Sequence, residues 1–173
     1  TENNSYRSRA TYHGRDDKEQ HMKYTVRFSH LEKKPKWQKW QTINRGDVVG
    51  RMGSTGQSTA AHLHLDCAQG EQTRLYHLSD YDTVVNPAPR QLLYFIDDEL
   101  FGVPAVVTTP YAEVEYFQKR GKVHHGLDIV PWNRKATDEN FDIHWNRSKQ
   151  GTVTLVGYDP NGYGHYIYIT FDA

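Results

Sequence analysis

Two histidines stand two residues apart in the stretch AAHLHLDC, Ala60 to Cys67. In an extended chain successive side chains alternate between faces, so His62 and His64 point one way and Leu63 and Leu65 the other. Two neutral imidazoles side by side suit a metal ion, or one metal ligand beside one proton-handling group. A second stretch, VHHGLDIV, carries another combination. If it is extended, His124, Gly126 and Asp128 share a face, and the glycine leaves room for an ion between imidazole and carboxylate. Catalytic zinc takes three protein ligands of the His, Asp or Glu kind and keeps a further position for water. His64, His124 and Asp128 supply such a set. A third motif, RFSHLE, closes an alternating run on His30. Each motif alone also fits an ordinary role, such as a polar residue on a half-buried strand or an Asp in a turn. Their joint occurrence, each in a strand-like context, is what points to chemistry.

Such side chains need β structure to hold them. The run MKYTVRFSH places Tyr24, Val26, Phe28 and His30 on one face and Lys23, Thr25, Arg27 and Ser29 on the other, which predicts a half-buried strand. From Ile43 to Cys67, Gly46, Gly50, Gly53 and Gly56 predict short strands separated by tight turns. QLLYFIDDELFG reads as a short helix. AVVTTPYAEVEYFQKRGKVHHGLDIVPW reads as strand, turn and strand, and NRKATDENFDIHWNRSKQ as a long polar loop. GTVTLVGYDPNGYGHYIYITF predicts a hairpin around Asp-Pro-Asn-Gly. Residues 1–21 read as a polar arm or loop, and residues 86–104, with Pro87 and Pro89, as a linker.

Composition agrees with this. The 173 residues fit one domain with a real core. Aromatics make up 13% of the chain and include 12 tyrosines, which favours an all-β or β-rich domain with exposed grooves over a helical bundle. Lys+Arg and Asp+Glu are 21 each, so no global field points to nucleic acid or an anionic membrane. The single cysteine, Cys67, excludes a scaffold stapled by internal disulfides. No run of about 18 apolar residues predicts a membrane-spanning helix. The opening TENNSYRSRA lacks an apolar signal-peptide core, as a mature chain would.

Taken together, the motifs resemble the lysostaphin-like zinc metallopeptidases, also called β-lytic metallopeptidases, which cut peptide bonds in bacterial peptidoglycan. The matching segments are RGDVVGRMGSTGQSTAAHLHLD, HHGLDIV, FSHLE and GTVTLVGYDPNGYGHYIYI. The resemblance implies a zinc-dependent endopeptidase acting on a cross-bridge or stem peptide, built on a small antiparallel sheet with a loop-walled groove. It implies His64, His124 and Asp128 as the zinc ligands. His62 would be the general base that takes a proton from the attacking water. His30 would orient that water or stabilise the oxyanion. Tyr116 is placed as a transition-state or substrate contact. The implied partner is peptidoglycan peptide, with no nucleic acid and no membrane, and the implied place of work is extracellular or on a phage particle. The alternative is an inactive relative that binds cell wall or activates another hydrolase.

The motif order is rotated. In the family H-x-G-x-D comes first, then the G-Y-G strand, then S-H-L, then H-x-H. Here S-H-L and H-x-H come first, and the chain ends on the G-Y-G strand. The expectation is a circularly permuted single domain, 1–173, acting as a monomer, in which His165 to Phe171 pairs antiparallel with Met22 to Ser29. A swapped dimer is the competing account. Of the other residues, Asp66 shares the face of His62 and His64 and reads as a partner of the site or as surface. Cys67 and His125 point away and read as core. His13, His21, His77 and His165 have no partner pattern. Trp37, Trp40, Tyr163 and Tyr166 read as packing or loop residues. Trp132, His144 and Trp145 lie in the long loop, a surface excursion or a groove wall.

Overall fold

The computed structural model describes residues 22–76, 91–111, 114–121, 124–135, 137–138 and 141–172. The arm 1–21, the first part of the linker with Pro87 and Pro89, and His13, His21 and His77 lie outside the described residues.

Among the described residues nine strands follow one another: β1 (Lys23–Leu31), β2 (Thr42–Ile43), β3 (Val48–Arg51), β4 (Leu63–Gln69), β5 (Ala105–Thr109), β6 (Leu127–Pro131), β7 (Asp142–His144), β8 (Gly151–Asp159) and β9 (Gly164–Asp172). Seven of them form one curled antiparallel sheet in the order β2-β8-β9-β1-β4-β6-β5, while β3 and β7 pair separately. The fold is β-rich, as composition and alternation predict. β8 and β9 are the hairpin read around Asp159–Gly162, with Asp159 opposite Gly164.

The first and last strands are neighbours. Tyr24 lies opposite Phe171, Val26 opposite Ile169 and Phe28 opposite Ile167, antiparallel and within one chain. This is the pairing expected from the rotated motif order. On its other side β1 pairs with β4, Arg27 opposite Asp66 and Ser29 opposite His64. β4 continues into β6 with His64 opposite Asp128.

One face of this sheet is apolar. Val26 and Phe28, Leu63 and Leu65, Ile167 and Ile169 are fully buried there, packed with Phe95, Leu100, Ile143 and Trp145. The other face of the same strands carries Thr25, Arg27, Ser29, Asp66, Tyr168 and Thr170, and these too are buried. β1 is therefore buried on both faces, not half-buried. Residues 70–76 are what hide its polar face: Thr25 Oγ1 donates to the Gly70 carbonyl, and Arg27 Nη1 donates to the Tyr76 carbonyl.

Three further expectations are corrected. The stretch between β5 and β6 contains a helix, α1 (Val114–Arg120), and not a plain turn. Its Glu115 and Lys119 pair at helical spacing, 3.4 Å apart, and Gly121 at φ +70° closes it. The helix read in QLLYFIDDELFG occupies only its first part, residues 91–95, ending in a 3-10 segment at Leu93–Phe95, because Asp97 Oδ1 then takes the Glu99 and Leu100 amides into a tight turn. The long polar loop contains β7, and its Trp145 is a core residue, not a groove wall. That ring is fully buried 5.5 Å from Phe95 and 5.7 Å from Phe171, and its Nε1 donates to the Lys149 carbonyl. Trp132, by contrast, is exposed.

Candidate metal centre

The site forms where β1, β4 and β6 lie side by side. Period two along β4 puts His64 and Asp66 on the polar face. His62 lies just before the strand, bridged to Gly53. Asp128 sits directly across from His64. His124 precedes β6 and comes within 3.4 Å of Asp128 Oδ2 through its Nε2.

His30 reaches the site by a different route. Plain alternation assigns it to the apolar face with Phe28. Instead the register slips between Phe28 and Leu31, and His30 takes φ +62°. A bulge of this kind re-aims one side chain. The His30 ring lies 4.9 Å from that of His62 and 6.1 Å from that of His64. A non-glycine residue at positive φ carries strain and persists only where its surroundings hold it. Here the His30 amide donates to the Tyr163 carbonyl at 2.7 Å, and the ring nitrogen Nδ1 meets the Thr55 carbonyl at 2.7 Å.

Gly126 also differs from its expected part. A Cβ there would strike the Leu65 carbonyl oxygen and the His64 ring. The space that the glycine leaves is taken by His64, which needs it to lie beside Asp128.

The distances define a cluster. Asp128 Oδ1 is 3.0 Å from His64 Nδ1 and 3.5 Å from His62 Nε2. His64, His124 and Asp128 each offer a ligand atom, and these lie within 4.8 Å of one another. Tyr116, on α1, sets its ring 4.7 Å from that of His124.

The hydrogen bonds also fix protons. A main-chain carbonyl only accepts, so a histidine nitrogen facing one must carry hydrogen. His30 Nδ1 faces Thr55, His62 Nδ1 faces the Ala60 carbonyl at 2.9 Å, and His124 Nδ1 faces the Pro110 carbonyl at 3.1 Å. In neutral form all three rings present an unprotonated Nε2 to the site. His64 is different: both nitrogens face carboxylates, Nδ1 toward Asp128 and Nε2 toward Asp66 Oδ2 at 3.1 Å.

Electrostatics follow from these contacts. Burial pushes the His64 ring down, but hydrogen bonds to Asp128 and Asp66 outweigh it and bring its pKa up to about 9. Burial raises Asp128, yet the neighbouring His124 and His64 rings outweigh it and hold it well below the usual carboxylate range. Burial and the neighbouring His62 and His64 rings push His30 down to about 4. A charged carboxylate ringed by imidazole side chains that can give up their protons is a place for a cation. Two imidazole nitrogens and a carboxylate oxygen are a donor set that zinc accepts, so these residues fit the ion.

Residues 15–81 match the model of peptidase family M23. The likeness to the lysostaphin-like metallopeptidases is thereby shown. The matched segment carries His30, His62 and His64, and it ends before His124 and Asp128. No curated protein and no solved structure matches the chain. Among the described residues no helix is long and apolar enough to cross a membrane.

Sequence reasoning missed several residues that shape this site. Arg27 lies fully buried against Asp66, and Tyr163 stacks on its guanidinium, 3.6 Å from carbon to ring centroid. Ala60 and Pro110 act through their carbonyls, and Thr55 through its carbonyl and through a hydroxyl that donates to the Leu31 carbonyl, none of which a motif reveals. Asp66 is fully buried, so its surface reading is wrong. His125 turns away from the cluster and lies 6.1 Å from the Tyr111 ring. Cys67 is buried in the apolar core.

Proposed function

We propose that this chain is a zinc-dependent endopeptidase that hydrolyses peptide bonds in bacterial peptidoglycan. The observation that carries the reading is the convergence of His64, His124 and Asp128 beside two further imidazoles in a chain with an M23 segment. His64, His124 and Asp128 would hold the metal. When bound, a zinc ion supplies Lewis acidity and a hydroxide nucleophile at neutral pH.

The protein's own groups do the rest. His62 Nε2 bears no proton in the neutral ring, because Nδ1–H is held by Ala60. It can therefore take a proton from the attacking water and later pass it to the leaving amine. His30 is tied in the same way to Thr55, and its pKa of about 4 keeps it neutral at pH 7. A neutral ring with that tautomer accepts a hydrogen bond at Nε2. It suits orienting the water better than donating to an oxyanion. Tyr116, whose ring lies 4.7 Å from that of His124, would meet substrate.

The same reading covers the chain's organisation. One domain with rotated motif order accounts for β9 pairing with β1 and for each motif occurring once. A peptidoglycan substrate puts the work outside the cytoplasm, by a secreted or virion-borne enzyme. Digestion of several purified peptidoglycan types, with mass spectrometry of the released fragments, tests the proposal and identifies the bond. His62→Ala should keep its zinc and lose on the order of 10²–10⁴ in rate. Metal-loaded protein that releases no fragment from any type would sink the enzymatic reading. Loss of zinc in His62→Ala would mean that the roles of the two histidines are exchanged.

A further inference from the structure

The loop between β3 and β4 crosses closely over the turn of the β8–β9 hairpin. The Gln57 amide donates to the Gly162 carbonyl at 2.8 Å. Gly56 at φ +76° and Gly164 at φ +64° make the approach possible: a Cβ on Gly56 would strike the Gly164 amide nitrogen, and one on Gly164 would strike Thr55. Thr55 is thereby carried to the place where β1 slips out of register with β9. There its hydroxyl donates to the Leu31 carbonyl at 2.5 Å and accepts from the His165 amide at 3.0 Å. Leu31 and His165 are the partners at which pairing resumes beyond the bulge. The main-chain carbonyl of the same threonine holds His30 Nδ1 at 2.7 Å.

One residue thus grips His30 twice, through its ring and through the main chain that follows it. We propose that Thr55 is a positioning residue for His30, and that its hydroxyl keeps β1 bulged so that this ring turns toward His62 and the metal centre. A hydroxyl both gives and takes a hydrogen bond, and here it does both. A side chain of the same shape without it leaves the Leu31 carbonyl and the His165 amide to find each other. His30 sits at a strained φ of +62°, so regular pairing is then the relaxed arrangement, and it sends the ring to the apolar face with Phe28. The proposal deepens the endopeptidase reading, in which His30 orients the water, and rests on it.

A threonine that only tied a loop to the sheet would need no more than the contact with His165. Thr55 instead meets groups of two consecutive residues, His30 and Leu31, where β1 leaves its regular course. Tyr163 adds a further hold, since its carbonyl takes the His30 amide at 2.7 Å. Thr55 acts on the reaction only through His30, so its contribution must vanish when that ring is removed.

Thr55→Val keeps the shape and removes the hydroxyl, while Thr55→Ser keeps the hydroxyl. The His30 and His62 rings lie 4.9 Å apart, close enough for a nuclear Overhauser contact in the intact, metal-free chain. That contact should be present in the unaltered chain and in Thr55→Ser, and lost in a Thr55→Val chain whose amide spectrum shows it folded. Its persistence in folded Thr55→Val overturns the inference and leaves the enzymatic reading standing. Turnover of peptidoglycan gives a second readout. A misplacement of about 1 Å costs on the order of 10²-fold, so Thr55→Val should lose about that much in kcat with KM and zinc content kept, and Thr55→Ser should restore it. In a His30→Ala background Thr55→Val should cost nothing more, and additive losses overturn the inference. Absence of turnover even in the unaltered chain sinks the endopeptidase reading, and the Overhauser contact still decides what Thr55 does to His30. If Thr55→Val does not fold, the unaltered protein decides: coupling across the hydrogen bond from His30 Nδ1 to the Thr55 carbonyl carbon supports the hold, and its absence overturns it.

Discussion

Zinc affinity should rise steeply with pH, and the structure sets by how much. In the metal-free chain the His64 ring lies between two carboxylates, and its pKa rises to about 9 despite burial. Below that pH the ring holds a proton on each nitrogen, and neither lone pair is available. A metal ion must displace one of those protons, so protons and metal compete. At pH 7, two units below the pKa, the proton wins by about a factor of 100, equivalent to about 3 kcal/mol. Affinity should therefore increase about tenfold per pH unit from 7 to 8.5 and flatten above 9. Competition against a chelator of known protonation behaviour, at constant ionic strength and in buffers that do not bind zinc, measures this. A flat profile from pH 7 to 8.5 would refute the reasoning. Either the ring is not protonated there or His64 is not a ligand.

The same shift predicts how the metal-free protein behaves. A raised folded-state pKa stabilises the fold below the unfolded value of about 6.5, and that stabilisation is lost as pH rises through about 9, a fall on the order of 3 kcal/mol in urea denaturation. Zinc should remove most of this dependence, since the ion then supplies the charge between the carboxylates. Gly164→Ala should cost about 1–3 kcal/mol in thermal unfolding, because φ is +64° and the methyl would run into Thr55; zinc binding should survive, as His30, the ring held by Thr55, is not a ligand. Lys23 and Asp172 face each other across β1 and β9, so Cys substituted at both should oxidise within one chain. A covalent dimer on a non-reducing gel would show that the pairing runs between two chains.

What the sequence reveals depends on regularity. His62 and His64 share a face because period two is a property of any extended chain, and β4 is regular through that stretch. The neighbourhood of β1 and β9 follows from the rotated motifs and strand-type residues at both ends. His30 could not be placed this way, since the bulge at Phe28–Leu31 is held by Tyr163 and Thr55, residues far off in sequence, and the run has no glycine to mark a positive φ. Arg27 alternates to the correct face, but its match with Asp66 requires the register of β1 on β4, which is a long-range fact. The helix α1 was hidden because Val114, Tyr116 and Phe117 are strand-type residues. The Glu115–Lys119 pair and the Gly121 stop were the available signals.

The position of β1 between β4 and β9 has a consequence for biosynthesis. β9 begins about 130 residues after β1 ends. At roughly 5–20 residues per second, the ribosome needs some 7–26 seconds to deliver it. Throughout that interval β1 can bond to β4 on one side only, leaving a row of main-chain groups open on the other. An open strand edge of this kind pairs readily with other chains. The nascent protein is thus most exposed to aggregation before β9 emerges, and a chaperone that shields extended apolar segments should raise its yield more than slower unfolding would.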